Sequence, residues 1–193
     1  MIDSILKKAR ESADTQLRFF EANAARIAAC AEALAARVRE GGRVLTMGNG
    51  GSACDAQHLA VEFQHPIIEK RRALPAQCLS SDTALLTAIG NDTDFARAYC
   101  DQLELVARPV DVAIGVSTSG ASANVNRALK RARQLGLLTI GFAGRDGGAL
   151  ADLCEHAFVV PSWSIHRIQE THTILLHVLW DQLHVALGED DVL

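Results

Sequence analysis

The chain lacks the features that would place it outside the globular enzyme-sized class. No apolar run approaches the ~20 residues that span a bilayer. The first eight residues, Met1-Ile-Asp-Ser-Ile-Leu-Lys-Lys8, have no long apolar core of the secretory type. Bulk positive charge is missing too. With 23 acidic and 19 basic residues the net charge is −4, which argues against a nucleic-acid surface built on overall potential. Cys30, Cys54, Cys78, Cys100 and Cys154 are odd in number and form no C-x-x-C pair, which excludes a disulfide framework or a cysteine-based zinc site as the expectation. Reduced thiols in a cytoplasm fit that pattern. No repeat, low-complexity tract or linker divides the 193 residues, so one domain, 1–193, with a sizeable core is expected, with no membrane or nucleic-acid partner.

What is present is an alternation of two periods. Residues 3–40 read as a helical hairpin: Ile5, Leu6, Ala9, Ala13, Leu17 and Phe20 recur at helical spacing, and Ile27 to Val38 forms an Ala-rich second helix ending at Gly41-Gly42. Ordinary core burial is the simpler expectation for this hairpin, with packing on a sister subunit as the alternative. From residue 43, short apolar runs predict strands at 44–47, 76–79, 112–116, 138–142 and 157–160. Helices are predicted at 52–64, 82–89, 93–107, 121–135 and 147–153. Such alternation over 43–160 implies an α/β fold, a five-stranded parallel sheet covered on both faces. Pro66 ends the first of these helices and opens a loop over 63–75. A last helix, 164–187, is apolar around most of its circumference, the pattern of a helix buried on several sides, here by an oligomer interface.

Three stretches carry chemistry. The first runs from Thr46 to Glu62, where a strand stops at Gly48, Gly50 and Gly51 and a helix begins near Ser52. Glycines there let an anion approach the backbone, and a helix start offers it unpaired N–H groups. His58 and Glu62 are four apart and share one helix face. The same glycines also match G-x-G-x-x-A, a dinucleotide fingerprint. That reading wants an acidic residue at the end of the next strand ~20 residues on, whereas here Ser80-Ser81-Asp82 comes about ten residues late. The second stretch, Ser117-Thr-Ser-Gly-Ala-Ser122, places four hydroxyls at another strand-to-helix turn and suits one phosphate group. A plain serine N-cap is the alternative. The third puts Gln169, His172 and His177 on the otherwise apolar last helix. Gln169 and His177 lie eight residues and ~12 Å apart along the axis, so one ion reaches both only if the side chains converge or another subunit supplies one. On spacing alone His172 competes with them.

Taken together these stretches resemble the sugar isomerase (SIS) domain family and, within it, the phosphoheptose isomerases. The resemblance runs through Gly48-Asn-Gly-Gly-Ser52, Asp55-Ala-Gln-His58, Glu62-Phe63, Leu74-Pro-Ala76, Leu86-Thr-Ala-Ile-Gly-Asn-Asp92, Ser117-Thr-Ser-Gly120, Arg145-Asp-Gly-Gly148 and Ile168-Gln-Glu170 to His177. It implies a flavodoxin-like α-β-α sandwich and one Zn²⁺ per subunit held by His58, Glu62, Gln169 and His177. Substrate contacts are implied at Asn49, Gly50, Gly51, Ser52, Asp55, Glu62, Asn91, Asp92, Ser117, Thr118, Ser119, Ser122 and Gln169. It also implies a homotetramer with active sites between subunits. The activity implied is conversion of sedoheptulose 7-phosphate to D-glycero-D-manno-heptose 7-phosphate through a cis-enediol(ate), with Glu62 as base and His177 moving protons between oxygens. Pro66 stands where many members carry Arg, and His166 where some carry Asp; positive charge appears instead at Lys70, Arg71 and Arg72. Two alternatives follow from the same resemblance: an isomerase of another phosphosugar, and a non-catalytic tetrameric scaffold for the replication initiator DnaA.

Overall fold

The computed structural model describes residues 1–67 and 71–191. In chain order the elements are α1 (Ile2–Arg39), β1 (Val44–Gly48), α2 (Gly51–Gln64), β2 (Ala76–Cys78), α3 (Thr83–Asp92), a 3-10 turn (Phe95–Arg97), α4 (Ala98–Val106), β3 (Val112–Ser117), α5 (Ala123–Gln134), β4 (Leu138–Gly144), α6 (Leu150–Leu153), β5 (His156–Val160) and α7 (Ile165–Ala186). The strands are all parallel, in the order β2-β1-β3-β4-β5. Every residue of β1, β3 and β4 is buried, as a sheet covered on both faces requires. One face packs Val44, Ile114, Ile140 and Phe142 against α1, α2 and α7. The other packs Leu45, Met47 and Ala113 against α4, α5 and α6. The strand order reverses between β1 and β3, and ligands of open α/β sheets settle outside the strand ends at such a point.

The N-terminal hairpin is not formed: residues 2–39 make one continuous helix. Glu21-Ala-Asn-Ala-Ala-Arg26 holds no glycine or proline to break it, and the one polar candidate, Asn23, donates its amide back to Phe19 O at 2.8 Å. Burial divides this helix. From Thr15 onward Phe19, Ile27, Cys30, Ala31 and Leu34 face the core. Before it, core burial fails: Ile5 is 60% and Leu6 47% exposed, and Leu17, on the far side, is 61%. The helix expected over 93–107 starts as the 3-10 turn, because Asp94 caps Ala96 N at 2.9 Å and tightens the first turn.

Candidate active site

Both expected loops lie at the reversal of strand order. After β1, Gly50 takes φ +55°, a left-handed conformation that glycine adopts without steric cost. Ser80 fixes the loop's root, accepting from Gly48 N at 3.2 Å and donating to Gly48 O at 2.9 Å. Tyr99 also donates to Gly48 O, and it reaches Asn49 Oδ1 at 3.0 Å. Asn49 exchanges two amide bonds with Asn124, at 2.8 and 2.9 Å. Because Asn124 lies in the first turn of α5, this pair ties the glycine loop to the serine loop after β3. In that second loop Ser117 and Ser122 hydroxyls meet at 2.9 Å, and Ala121 N donates to Ser119 Oγ at 3.2 Å. Neither α2 nor α5 is capped by a side chain. At α2 the loop carbonyls take part of the helix start, Ser52 N donating to Asn49 O and Ala53 N to Gly50 O, each at 3.0 Å; two helix starts beside a set of hydroxyls are nevertheless the composition of an anion site.

The helix behind the first loop carries two of the expected titratable groups, His58 and Glu62. Helices α2 and α7 lie side by side. A Cβ on Gly51 would stand 2.1 Å from Gln169 Nε2, so the bare glycine is what lets the two helices approach at their starts. Two turns further along, His58 Nε2 lies 3.3 Å from Glu62 Oε1 and 3.2 Å from His177 Nε2. The two imidazoles meet edge to face, centroids 4.8 Å apart. One donor atom from each of the three residues falls within 4.8 Å of the others. Burial, then the neighbouring His58, hold the His177 pKa below its ordinary value despite the opposing pull of Glu62. A neutral imidazole keeps a lone pair for an ion or a proton. Two nitrogens and a carboxylate oxygen converging in this way form a cluster able to hold a divalent metal. A cleft of about 380 Å³ opens beside it, lined by Glu62, Ile67, His177, Val178, Trp180 and Asp181 among others.

Comparison with known proteins bears on this geometry. Residues 9–144 match the family model described as SIS domain. Phosphoheptose isomerase of Aquifex aeolicus is 47% identical over 189 residues, 98% of this chain and 99% of that protein. The chain belongs to the SIS domain family, in its phosphoheptose isomerase branch. The Roseiflexus phosphoheptose isomerase is 42% identical over 96% of this chain and 94% of its own length. Among solved structures, phosphoheptose isomerase from Francisella tularensis superposes with a TM-score of 0.90 at 31% identity, covering 95% of this chain and 98% of that one. The Neisseria gonorrhoeae enzyme of the same name gives 0.87 at 35% identity over 94% and 97%.

Set against this branch, the expected site residues divide. His58, Glu62 and His177 are together; Asn49, Gly50, Gly51, Ser52, Ser117, Thr118, Ser119 and Ser122 occupy the two adjoining loops. Gln169 rests its amide against Gly51, at the loop end of α7. Asp55, on the α2 face between loop and cluster, has a buried Oδ2 without a hydrogen-bond partner; burial lifts its pKa to about 6 against the pull of His58. Asn91 and Asp92 bond to each other at 2.7 Å on α3, which has no buried residue, and no hydrogen bond among the described residues links them to the cluster. His172 is fully buried with Nε2 3.0 Å from Ala143 O, a core histidine and no rival ligand. The dinucleotide reading loses its acid: Asp82 accepts from Leu85 N at 2.9 Å and caps α3. Lys70 lies outside the described residues, and Arg71 turns away into a buried ion pair with Asp181. Sequence reading missed Asn124 and Tyr99; a polar residue directly after the serine turn was the only signal for the first.

Proposed function

We propose that this chain is an aldose–ketose isomerase that converts sedoheptulose 7-phosphate to D-glycero-D-manno-heptose 7-phosphate. The observation that carries the reading is the His58–Glu62–His177 cluster on α2 and α7, with the loop that starts α2 tied to the serine loop through the Asn49–Asn124 pair. In this reading the phosphate sits on Ser117, Thr118, Ser119 and Ser122 and on the starts of α2 and α5. Asn49, Gly50, Gly51, Ser52, Asp55 and Gln169 line the path of the sugar towards the cluster. Asn91 and Asp92 complete the site, in a homotetramer with active sites between subunits, where the exposed apolar start of α1 is covered. Heptose precursor synthesis in the cytoplasm is the setting. No helix among the described residues is long and apolar enough to cross a membrane.

His58, Glu62, Gln169 and His177 would hold one Zn²⁺, which polarises a carbonyl and favours the enediolate form of a bound sugar when present. Glu62 takes a proton from C1 of the ketose, and the C1–H electron pair becomes the C1–C2 double bond as O2 gains a proton. His177, whose pKa is lowered by partial desolvation, accepts the proton of the C1 hydroxyl as C1 becomes the carbonyl carbon and supplies one to O2. Glu62 then returns its proton to C2. Such acid–base assistance is worth roughly 10²–10⁴ in rate. Glu62 shows one oxygen to His58 and has a second for the carbon-bound proton.

The test is incubation of the purified protein with sedoheptulose 7-phosphate, scored for an aldoheptose phosphate, beside Glu62→Gln. Wild type should turn over, and the variant should bind phosphosugar without converting it. Absence of product from metal-replete wild type defeats the reading, and near-normal turnover by the variant removes Glu62 from the mechanism.

A further inference from the structure

The triad is carried by two helices, and the chain braces them at both ends. One brace is the close contact of Gly51 with Gln169. The other lies past the cluster. Arg71 is 8% exposed, and its Nη2 donates to Asp181 Oδ1 at 2.6 Å. Asp181 is one helical turn beyond His177 on α7, ~6 Å along the axis. Arg71 stands three residues before Leu74, whose N–H donates to the O of Phe63, the neighbour of Glu62 on α2, at 2.7 Å. The ion pair therefore bolts the exit of the His58–Glu62 helix to the His177 helix. Its neighbours are equally fixed. The guanidinium carbon lies 5.7 Å from the centre of the Trp180 ring, Glu189 Oε2 approaches Nη1 at 3.6 Å, and the same carboxylate oxygen meets His184 Nδ1 at 3.0 Å. Trp180 and Asp181 also line the cleft that Glu62 and His177 open into.

Stability alone is a weak account of this cluster. Arg71 Nε and Nη1, Trp180 Nε1 and His184 Nε2 are buried without hydrogen-bond partners. Desolvating a cation and leaving donors unmatched is costly, and buried ion pairs are often no better than apolar residues of equal volume. What a short, directional bond from a planar guanidinium supplies is a fixed relative position. We propose that Arg71 is a positioning residue of the isomerase: through Asp181 it sets the spacing of Glu62 and His177 across the two helices, and it does not touch the sugar. The proposal rests on the function assigned above.

The experiment compares Arg71→Met, Arg71→Lys, Asp181→Asn and the charge-free pair Arg71→Met/Asp181→Leu with wild type. Each protein is read for folding by thermal melt, for Zn²⁺ affinity by titration of the metal-stripped protein, and for kcat and KM with sedoheptulose 7-phosphate. Groups that orient metal-binding side chains change affinity or activity by about 10–100-fold when lost. Arg71→Met and Asp181→Asn should lose at least tenfold in kcat and in Zn²⁺ affinity while KM moves less than threefold; Arg71→Lys should recover part of both. The double variant removes the unpaired charge, so it should melt near wild type yet stay slow and bind Zn²⁺ weakly. Folded single variants within twofold of wild type in kcat and Zn²⁺ affinity overturn the proposal, as does a double variant that regains both. Should Arg71→Met not fold, the double variant alone decides. The Zn²⁺ titration reads the brace independently of substrate, whereas an inactive wild type with a normal titration would count against the assigned function.

Discussion

His172 and His177 sit five residues apart on one helix and meet opposite fates. The first points into the sheet, wholly buried, with Nε2 bonded to Ala143 O and Nδ1 buried without a hydrogen-bond partner. Burial lowers its pKa to about 4. The second, about 140° further round the helix, faces α2 and meets His58. The residue type is the same and the two are little more than a turn apart, so what separates a core imidazole from one in the cluster is the neighbour each helix face meets.

Substitutions at the two positions test that contrast directly. His177→Gln should lower kcat by about 10²–10⁴ with the melting temperature little changed, measured with sedoheptulose 7-phosphate on protein of confirmed fold. Equal activity would put His177 on the structural side. A middle effect is expected at the near brace. Gly51→Ala pushes a Cβ against the amide end of Gln169, a flexible group, so the fold should survive. Zn²⁺ affinity should nevertheless fall about tenfold if Gln169 completes the ligand set, and an unchanged titration would leave the ion to the three clustered groups. The smallest catalytic effect belongs to His172→Gln, with kcat within about threefold of wild type, as for a buried residue outside the reacting groups. Its signature is in stability. A histidine of ordinary pKa 6.5 when unfolded and about 4 when folded stabilises fully above pH 6.5 and loses that contribution as pH falls towards 4. The slope is up to about 1.4 kcal/mol per pH unit. Melts at several pH values should show a shallower acid slope in His172→Gln than in wild type.

The sheet was legible because β1, β3 and β4 are short, largely apolar runs that stop at turn residues, and the structure moves their ends by a residue or two. The N-terminal helix was misread because two apolar runs, to Phe20 and from Ile27, are separated by polar residues and alanines that read as a turn, yet hold no glycine or proline and continue the helix. Two candidate loops could be read from glycine and serine at strand ends. Their coupling could not, because Asn49 and Asn124 are 75 positions apart and meet only once the strand order is known. Likewise Arg71 reads as a surface cation beside Arg72, and its burial depends on an aspartate 110 positions later. For the cluster itself, four-residue spacing announced His58 and Glu62; His177 was chosen over His172 by the family resemblance and not by spacing, and the physical reason, the face each presents, lies in the fold.

The Arg145-Asp-Gly-Gly148 stretch, recognisable from the start, has a mechanical consequence. Gly120 sits at φ +62°, and a Cβ there would fall 1.9 Å from Gly147 O. Leu150 N donates back to Gly120 O at 3.1 Å. The serine turn and the turn after β4 are thus cast as a single piece, with no gap for a side chain between them. A change of length in either turn must therefore be matched in the other, because the two shift only together.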